Sequence, residues 1–268
     1  MNIGVIGVRG RLGTRLLELG CIPIHCDITL TGSIINGIAN RNFDAIINCA
    51  GYTNVDGCET DPLRAYRVNS FAPKNIADNF HGKLVHLSTD YIFDGEKGSY
   101  NELDIPRPLG SYGHSKLWGE IGLKGYKNLL IVRTTVLYDG LKIKPNFVST
   151  VYDKLKNKER VTLPELYSTP THLLHLAKGI LKAIELDIGG ILNIVGDTYL
   201  SRFEMAREIA KKFNFDEKLI RKDTQWIETG AKRGKYLGLD TRLAKLLGIP
   251  IYPFEDWLDE FMKELEGI

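Results

Sequence analysis

The stretch Met1-Asn-Ile-Gly-Val-Ile-Gly7-Val-Arg-Gly10-Arg-Leu-Gly13 decides the fold. An apolar run at 3–6 leads directly into G-x-x-G-x-x-G, and an amphipathic helical pattern follows at 11–19. Glycines suit such a turn because the backbone must bend sharply and approach a pyrophosphate closely, while the third lets helix and strand pack. The helix then offers unpaired N–H groups and a positive dipole end to the phosphates. In a chain with 27 glycines the spacing alone says little. Its place at the first strand-to-helix turn makes it a dinucleotide-binding signature, with a merely tight turn as the alternative.

Working outward, apolar runs at 22–26, 45–49, 84–87 and 129–133 alternate with helical patterns at 63–78 and 111–123. That alternation predicts βαβ units and a parallel sheet. A run at 191–195 reads as a late strand returning to the same sheet. Beyond about residue 138 helical segments dominate (146–157, 172–185, 202–213, 241–247 and 254–265), with few strand candidates. The expected architecture is α/β: a Rossmann-type, doubly wound parallel sheet over 1–138, joined by 188–197, with a smaller interleaved substrate-binding part over 139–268. Phe254, Trp257, Leu258, Phe261, Met262 and Leu265 share one helix face and read as core packing.

Composition narrows the partners. The 268 residues carry a formal charge of +2, too little to point to nucleic acid or an anionic membrane. No run approaches the length of a membrane span, and the chain passes from Met1 into a strand without a signal-like start. The four cysteines, Cys21, Cys26, Cys49 and Cys58, form no CxxC pair, so neither zinc nor a disulfide framework is expected. His172 and His175 sit three apart without nearby ligands and read as ordinary helix residues, not a metal site. A reducing cytoplasm is the expected compartment.

Two further features carry chemistry. Tyr112-Gly-His-Ser-Lys116 has the Y-x-x-x-K spacing, which on a helix puts phenol and ammonium on one face. A neighbouring cation would stabilise the phenolate and bring the hydroxyl towards acid/base strength near neutrality. Tyr138/Lys142 and Tyr152/Lys156 share the spacing but not the context, and read as partly exposed aromatics beside solvated lysines. Thr89, in Leu87-Ser-Thr-Asp-Tyr91, ends a predicted parallel strand, where ligands of open α/β sheets sit and a hydroxyl can orient a carbonyl. Asp27, 20 residues beyond Gly7 at the expected end of the second strand, would bond an adenosine ribose and favour NAD. Arg9 and Arg11 point instead to a 2′-phosphate. The choice between NADH and NADPH stays open.

Longer motifs resemble a known family. Asn48-Cys-Ala-Gly-Tyr-Thr-Asn-Val-Asp56, Val85-His-Leu-Ser-Thr-Asp-Tyr-Ile-Phe-Asp-Gly95, Pro108-Leu-Gly-Ser-Tyr-Gly-His-Ser-Lys-Leu-Trp-Gly-Glu120, Thr169-Pro-Thr-His172 and Lys232-Arg-Gly-Lys-Tyr-Leu-Gly-Leu-Asp-Thr241 are similar to those of dTDP-4-dehydrorhamnose reductases, in the extended short-chain dehydrogenase/reductase class. The resemblance implies reduction of the 4-keto group of a nucleotide-linked 6-deoxysugar by NAD(P)H. It implies Thr89, Tyr112 and Lys116 as catalytic residues, with Lys116 also on the nicotinamide ribose. Gly10, Arg11 and Leu12 would form the pyrophosphate loop, with Ala50, Gly51 and Tyr52 beside the cofactor. Asp90 and Arg233 would join Thr89 and Tyr112 on the substrate side, Arg233 following a helical stretch and meeting the diphosphate. Three departures stand out: a short connection before Cys26-Asp-Ile-Thr29, which would move Asp27 from the ribose to the adenine surroundings; Val136 where the family has tryptophan; and Glu165-Leu-Tyr167 where it has D-Q. A 4-epimerase or dehydratase, or a non-catalytic NAD(P)-binding subunit like the regulatory one of methionine adenosyltransferase, are the alternatives. A homodimer fits any of them.

Overall fold

The structure, a computed structural model, describes residues 1–39, 41–141, 143–223 and 230–267. Strand β1 (Ile3–Ile6) feeds helix α1 (Arg11–Glu18), followed by β2 (Ile22–Ile24), α2 (Thr31–Ile38), β3 (Ala45–Asn48) and α3 (Val55–Thr60). Helix α4 (Pro62–Tyr66) runs through a π turn, Arg67–Phe71, into α5 (Ala72–Asn79), and then come β4 (Lys83–Thr89), α6 (Ser111–Gly122) and β5 (Leu129–Thr134). After β6 (Leu137–Tyr138) the order is α7 (Phe147–Lys156), β7 (Val161–Leu163), β8 (Tyr167–Ser168), β9 (Thr171–His172), α8 (Leu173–Glu185) and β10 (Gly190–Asn193). The chain closes with β11 (Leu200–Ser201), α9 (Arg202–Lys212), β12 (Ile220–Lys222), α10 (Arg242–Leu246) and α11 (Phe254–Glu266).

Six strands form one parallel sheet in the order β10-β5-β4-β3-β1-β2. The inner strands are apolar without alternation because helices cover both faces. One face packs Leu12 and Leu16 of α1 with Leu176, Ile180 and Ile184 of α8. The other packs Ile34 of α2, Ile76 of α5 and Leu123 at the end of α6. The register pairs Ile6 with Asn48 and Thr89 with Thr134, so these strand ends share one edge. From β1 the chain turns out to β2 and returns to β3 on the opposite flank of β1. That reversal opens a crevice at the carboxyl ends of β1 and β3.

A separate apolar cluster joins Val151 and Tyr152 of α7, Met205 and Ile209 of α9, Ile220 of β12, and Phe254, Leu258 and Phe261 of α11. Trp257, Met262 and Leu265 pack against it, so the stripe read on this last helix is core. Tyr138 and Tyr152 are buried in the same cluster, not partly exposed, because each ring fills a gap between helices; Lys142 lies outside the described residues.

Several expectations need correction. β2 stops at Ile24, since Asp27 and Thr29 already form a turn into α2. The helix expected over 63–78 contains a π turn. Pro73 has no N–H to return to the carbonyl of Asn69, and the ladder widens there. Among the described residues the second half holds six short strands besides β10, paired as β6 with β9, β7 with β12 and β8 with β11. Pieces of two or three residues are too short to show a period.

Candidate active site

The glycine turn builds a cradle at the crevice. Gly7 adopts φ +87°, open to glycine, and a Cβ there would lie 2.6 Å from the Ala50 nitrogen. A Cβ on Gly13 would collide with the Gly7 carbonyl and come within 2.8 Å of the Val8 Cα, so α1 docks against the turn only without a side chain there. The resulting cleft, about 690 Å³, is lined by Gly7, Arg9, Gly10, Asp27, Ala50 and Gly51 among others. An adjoining cleft of about 730 Å³ extends past Asp27, Gly51, Arg64 and Arg67. Backbone approaches of this kind fit a dinucleotide.

Individual residues of the cradle divide. Leu12 turns its side chain into the core, leaving only its backbone to the cleft. Arg11 reaches away, donating to the Leu137 carbonyl at 3.3 Å and lying 3.9 Å from the buried Asp139 carboxylate. Arg9 lines the cleft. Asp27 lines it too, but its carboxylate accepts from Thr29 N–H and Oγ1 at 2.9 and 2.6 Å, bonds that hold it below the usual range. Tyr52 lies under the Arg64 guanidinium, 4.6 Å from its ring centroid.

At the same sheet edge, α6 brings Tyr112 to the end of β4. Its phenol oxygen hydrogen-bonds the Thr89 hydroxyl, and its ring meets Tyr91 edge-on at 5.5 Å. Burial raises the Tyr112 pKa and outweighs the Thr89 bond, the reverse of the expected movement towards neutrality. Desolvation of a phenolate is the physical reason. Lys116, also buried, donates to the Leu87 carbonyl at 2.5 Å, and burial pulls its pKa down to about 8. Asp90 accepts from the Thr135 hydroxyl at 2.6 Å and from Thr89 at 3.2 Å, yet burial pushes it up to about 6.

Helix α6 reaches this position because it lacks two side chains. Cβ atoms on Gly113 or Gly119 would strike the carbonyls of Tyr91 and Asn69. Asn69, on the π turn, bonds both backbone groups of Tyr52 (2.8 and 3.0 Å) and the Ser115 hydroxyl (3.0 Å). It ties the loop after β3 to α6. Sequence reading missed it, although Pro73 four residues on marks the disturbed carbonyl. On the outer side, Arg233 forms two bonds to the Asp56 carboxylate (3.0 and 2.9 Å) and one to the Tyr91 hydroxyl. The helical stretch expected before it falls on 224–229, outside the described residues.

Val136 takes φ +43°, a rare conformation for a β-branched side chain, directly after the Thr135 that bonds Asp90. Glu165 pairs with Lys222 at 2.7 Å, and Tyr167 stacks on Tyr199 with centroids 5.5 Å apart. His172 and His175 both stack on Trp257 (4.7 and 5.7 Å).

The sheet order and the glycine turn at its switch point define a dinucleotide-binding fold of the short-chain dehydrogenase/reductase class. Comparison with known proteins narrows this. The profile of the family described as RmlD substrate binding domain matches residues 1–266, and the chain belongs to that family. It is 31% identical over 272 residues to a dTDP-4-dehydrorhamnose reductase of Mycobacterium tuberculosis, covering 94% of this chain and 88% of the relative. A solved dTDP-4-dehydrorhamnose reductase of Bacillus anthracis in complex with NADP superposes with a TM-score of 0.91 at 29% identity, covering 98% of this chain and 100% of that one. The methionine adenosyltransferase 2 subunit beta of Rattus norvegicus is 32% identical over 216 residues, covering 76% of this chain and 65% of that protein.

Proposed function

We propose that this protein reduces the 4-keto group of a nucleotide-linked 6-deoxysugar, of the dTDP-4-dehydrorhamnose kind, with NADPH or NADH. The observation that carries the reading is the Thr89–Tyr112 hydroxyl pair beside the glycine cradle, at the carboxyl edge of the sheet. Gly7, Gly10 and the first N–H groups of α1 (those of Arg11 and Leu12) hold the pyrophosphate, with Ala50, Gly51 and Tyr52 along the cofactor and Asp27 at its adenosine end. A reduced nicotinamide bound there supplies a hydride to a carbonyl carbon. Thr89 bonds the carbonyl oxygen and fixes its approach. Tyr112 donates its proton to that oxygen as the alcohol forms. The upward shift of its pKa keeps the phenol protonated near neutrality, which is the form a donor needs. Lys116, with an ammonium already desolvated, binds ribose hydroxyls and stabilises the phenolate left after transfer. Asp90 restrains the Thr89 hydroxyl, and Arg233 meets the diphosphate.

In this reading residues 1–138 with 188–197 serve the cofactor and 139–268 the sugar nucleotide. Among the described residues no helix is long and apolar enough to cross a membrane. A cytoplasmic homodimer is the proposed state, checked by light scattering. The test of function is absorbance of reduced nicotinamide during incubation with a panel of 4-keto nucleotide sugars and each cofactor. Oxidation with a 4-keto-6-deoxy sugar is expected, and inversion of a sugar without net oxidation would point to an epimerase instead. A cofactor-binding subunit is the second reading, favoured by the likeness to methionine adenosyltransferase 2 subunit beta. Binding of cofactor without oxidation across the whole panel would support it.

A further inference from the structure

Arg202 opens α9 immediately after its Ser201 cap, and its backbone N–H donates to the Leu166 carbonyl at 3.0 Å. The guanidinium lies over the Phe147 ring, 4.5 Å from the centroid. Its Nη1 is sealed from solvent and has no hydrogen-bond acceptor among the described residues. The charged and phenolic groups that act on it are Tyr91, Asp90 and Arg233. Asp90 and Tyr91 favour its charge and Arg233 opposes it, but none of the three accepts a hydrogen bond from Nη1: Asp90 accepts from the Thr89 and Thr135 hydroxyls, and Tyr91 is hydrogen-bonded to Arg233. The backbone bond to Leu166 anchors Arg202 beside a crevice of about 380 Å³, which Leu166 lines with Glu165, Lys222, Asp223, Arg233 and Lys235.

A guanidinium with a sealed, unpaired N–H is costly unless something supplies oxygen acceptors and negative charge. Arg233 is already bonded to Asp56 and repels Arg202, so the acceptor that Arg202 lacks must bring negative charge of its own. A nucleoside diphosphate carries that charge, and its phosphate oxygens match the planar donor fork of arginine. The cation–π contact with Phe147 fixes the direction of the fork before any ligand arrives.

We propose that Arg202 is a further substrate-binding residue, which with Arg233 clamps the diphosphate of the nucleotide sugar. This rests on the nucleotide-sugar reading above and adds a contact that the Y-x-x-x-K, glycine and Arg233 motifs do not contain. The phosphate next to the sugar is the one it grips, because Arg202 lies on the Asp90–Tyr91 side, beside the catalytic hydroxyls. Anchoring there holds the keto carbon against Thr89 and Tyr112.

The test is calorimetric titration of the full chain with dTDP and with thymidine, alongside NADPH binding and thermal melting, for wild type, Arg202→Met and Arg202→Lys. Loss of charge-assisted bonds to a phosphate is expected to weaken dTDP binding about 10- to 100-fold in Arg202→Met. Arg202→Lys, which keeps the charge and loses the fork, is expected to fall between. Thymidine and NADPH affinities should stay within about twofold of wild type. With a 4-keto nucleotide sugar, KM should rise more than kcat falls. Equal dTDP affinity in wild type and Arg202→Met would overturn the clamp, as would a lower melting temperature with dTDP binding intact, since Arg202 would then only pack on Phe147. If Arg202→Met loses NADPH binding as well, Arg202→Lys decides: wild-type dTDP affinity there overturns the clamp. Wild type that binds neither dTDP nor thymidine would instead overturn the nucleotide-sugar reading on which the clamp depends.

Discussion

Tyr112 and Asp139 are both buried acids, and burial moves both away from their solution behaviour. For Tyr112 the consequence falls on its proposed role as proton donor. Tyr112→Phe is expected to lower kcat about 10²- to 10⁴-fold, the worth of a positioned acid, with NADPH binding unchanged by fluorescence titration. For Asp139 it concerns stability. The carboxylate is fully buried, its Oδ2 has no partner among the described residues, Arg11 stands 3.9 Å away, and burial pushes it up to about 6. An acid whose pKa is raised by folding destabilises the fold while ionised, and that penalty is relieved as pH falls from about 6 to 3.8. Asp139→Asn should therefore stabilise the protein by about 1–3 kcal/mol at pH 8 and by little near pH 4, measured by urea denaturation at both values. A larger gain at pH 4 would contradict the sign. The placement of Thr89, Tyr112 and Lys116 was legible because they lie in contiguous motifs near predictable element ends. Their protonation behaviour was not, because desolvation comes from segments distant in sequence. Asn69 and Arg202 escaped for the same reason: the first matters through a π turn, the second through a ring and a phenol that only the fold brings near.

Among the elements, the parallel strands were readable because strands buried on both faces become plain apolar runs bounded by turns. Helix α2 was not. Thr31-Gly-Ser-Ile-Ile-Asn-Gly-Ile38 holds two poor helix formers and buries only Ile34, so its pattern is weak. The short pairs β6–β9 and β8–β11 exist through tertiary packing alone. Two glycines test how the elements place the site. Gly13→Ala forces α1 away from the β1 turn, and is expected to cost about 1–3 kcal/mol in urea denaturation while weakening NADPH binding more than dTDP binding. Gly119→Ala pushes α6 off Asn69 and so displaces Tyr112 and Lys116. There kcat should fall with a smaller change in NADPH affinity. Unchanged kcat in a folded Gly119→Ala protein would mean that the close approach of α6 does not set the geometry of the tyrosine.

Across the whole molecule, the sheet ends on β10, a strand supplied from the second half of the chain, so the cofactor edge and the α7–α9–α11 cluster are built together. Arg11 and Arg15 of α1 make the junction. The first bonds the Leu137 carbonyl, and the second pairs with Glu264 of α11, whose carboxylate also accepts from Gly140 N–H at 2.7 Å. Interleaving was visible in the sequence as a late apolar run, whereas the ionic junction was not, since its members are far apart in the chain. In the proposed reaction the sugar carbonyl receives a hydride on its carbon and a proton from Tyr112 on its oxygen. The most direct measurement uses a 4-keto-6-deoxy nucleotide sugar and reduced nicotinamide cofactor deuterated at C4, with the sugar product read by mass spectrometry and proton NMR. One deuterium at C4 of the new alcohol, lost with turnover in Tyr112→Phe, is the expected result. Cofactor left unoxidised by every such sugar, or product formed by Tyr112→Phe at the wild-type rate, would contradict it.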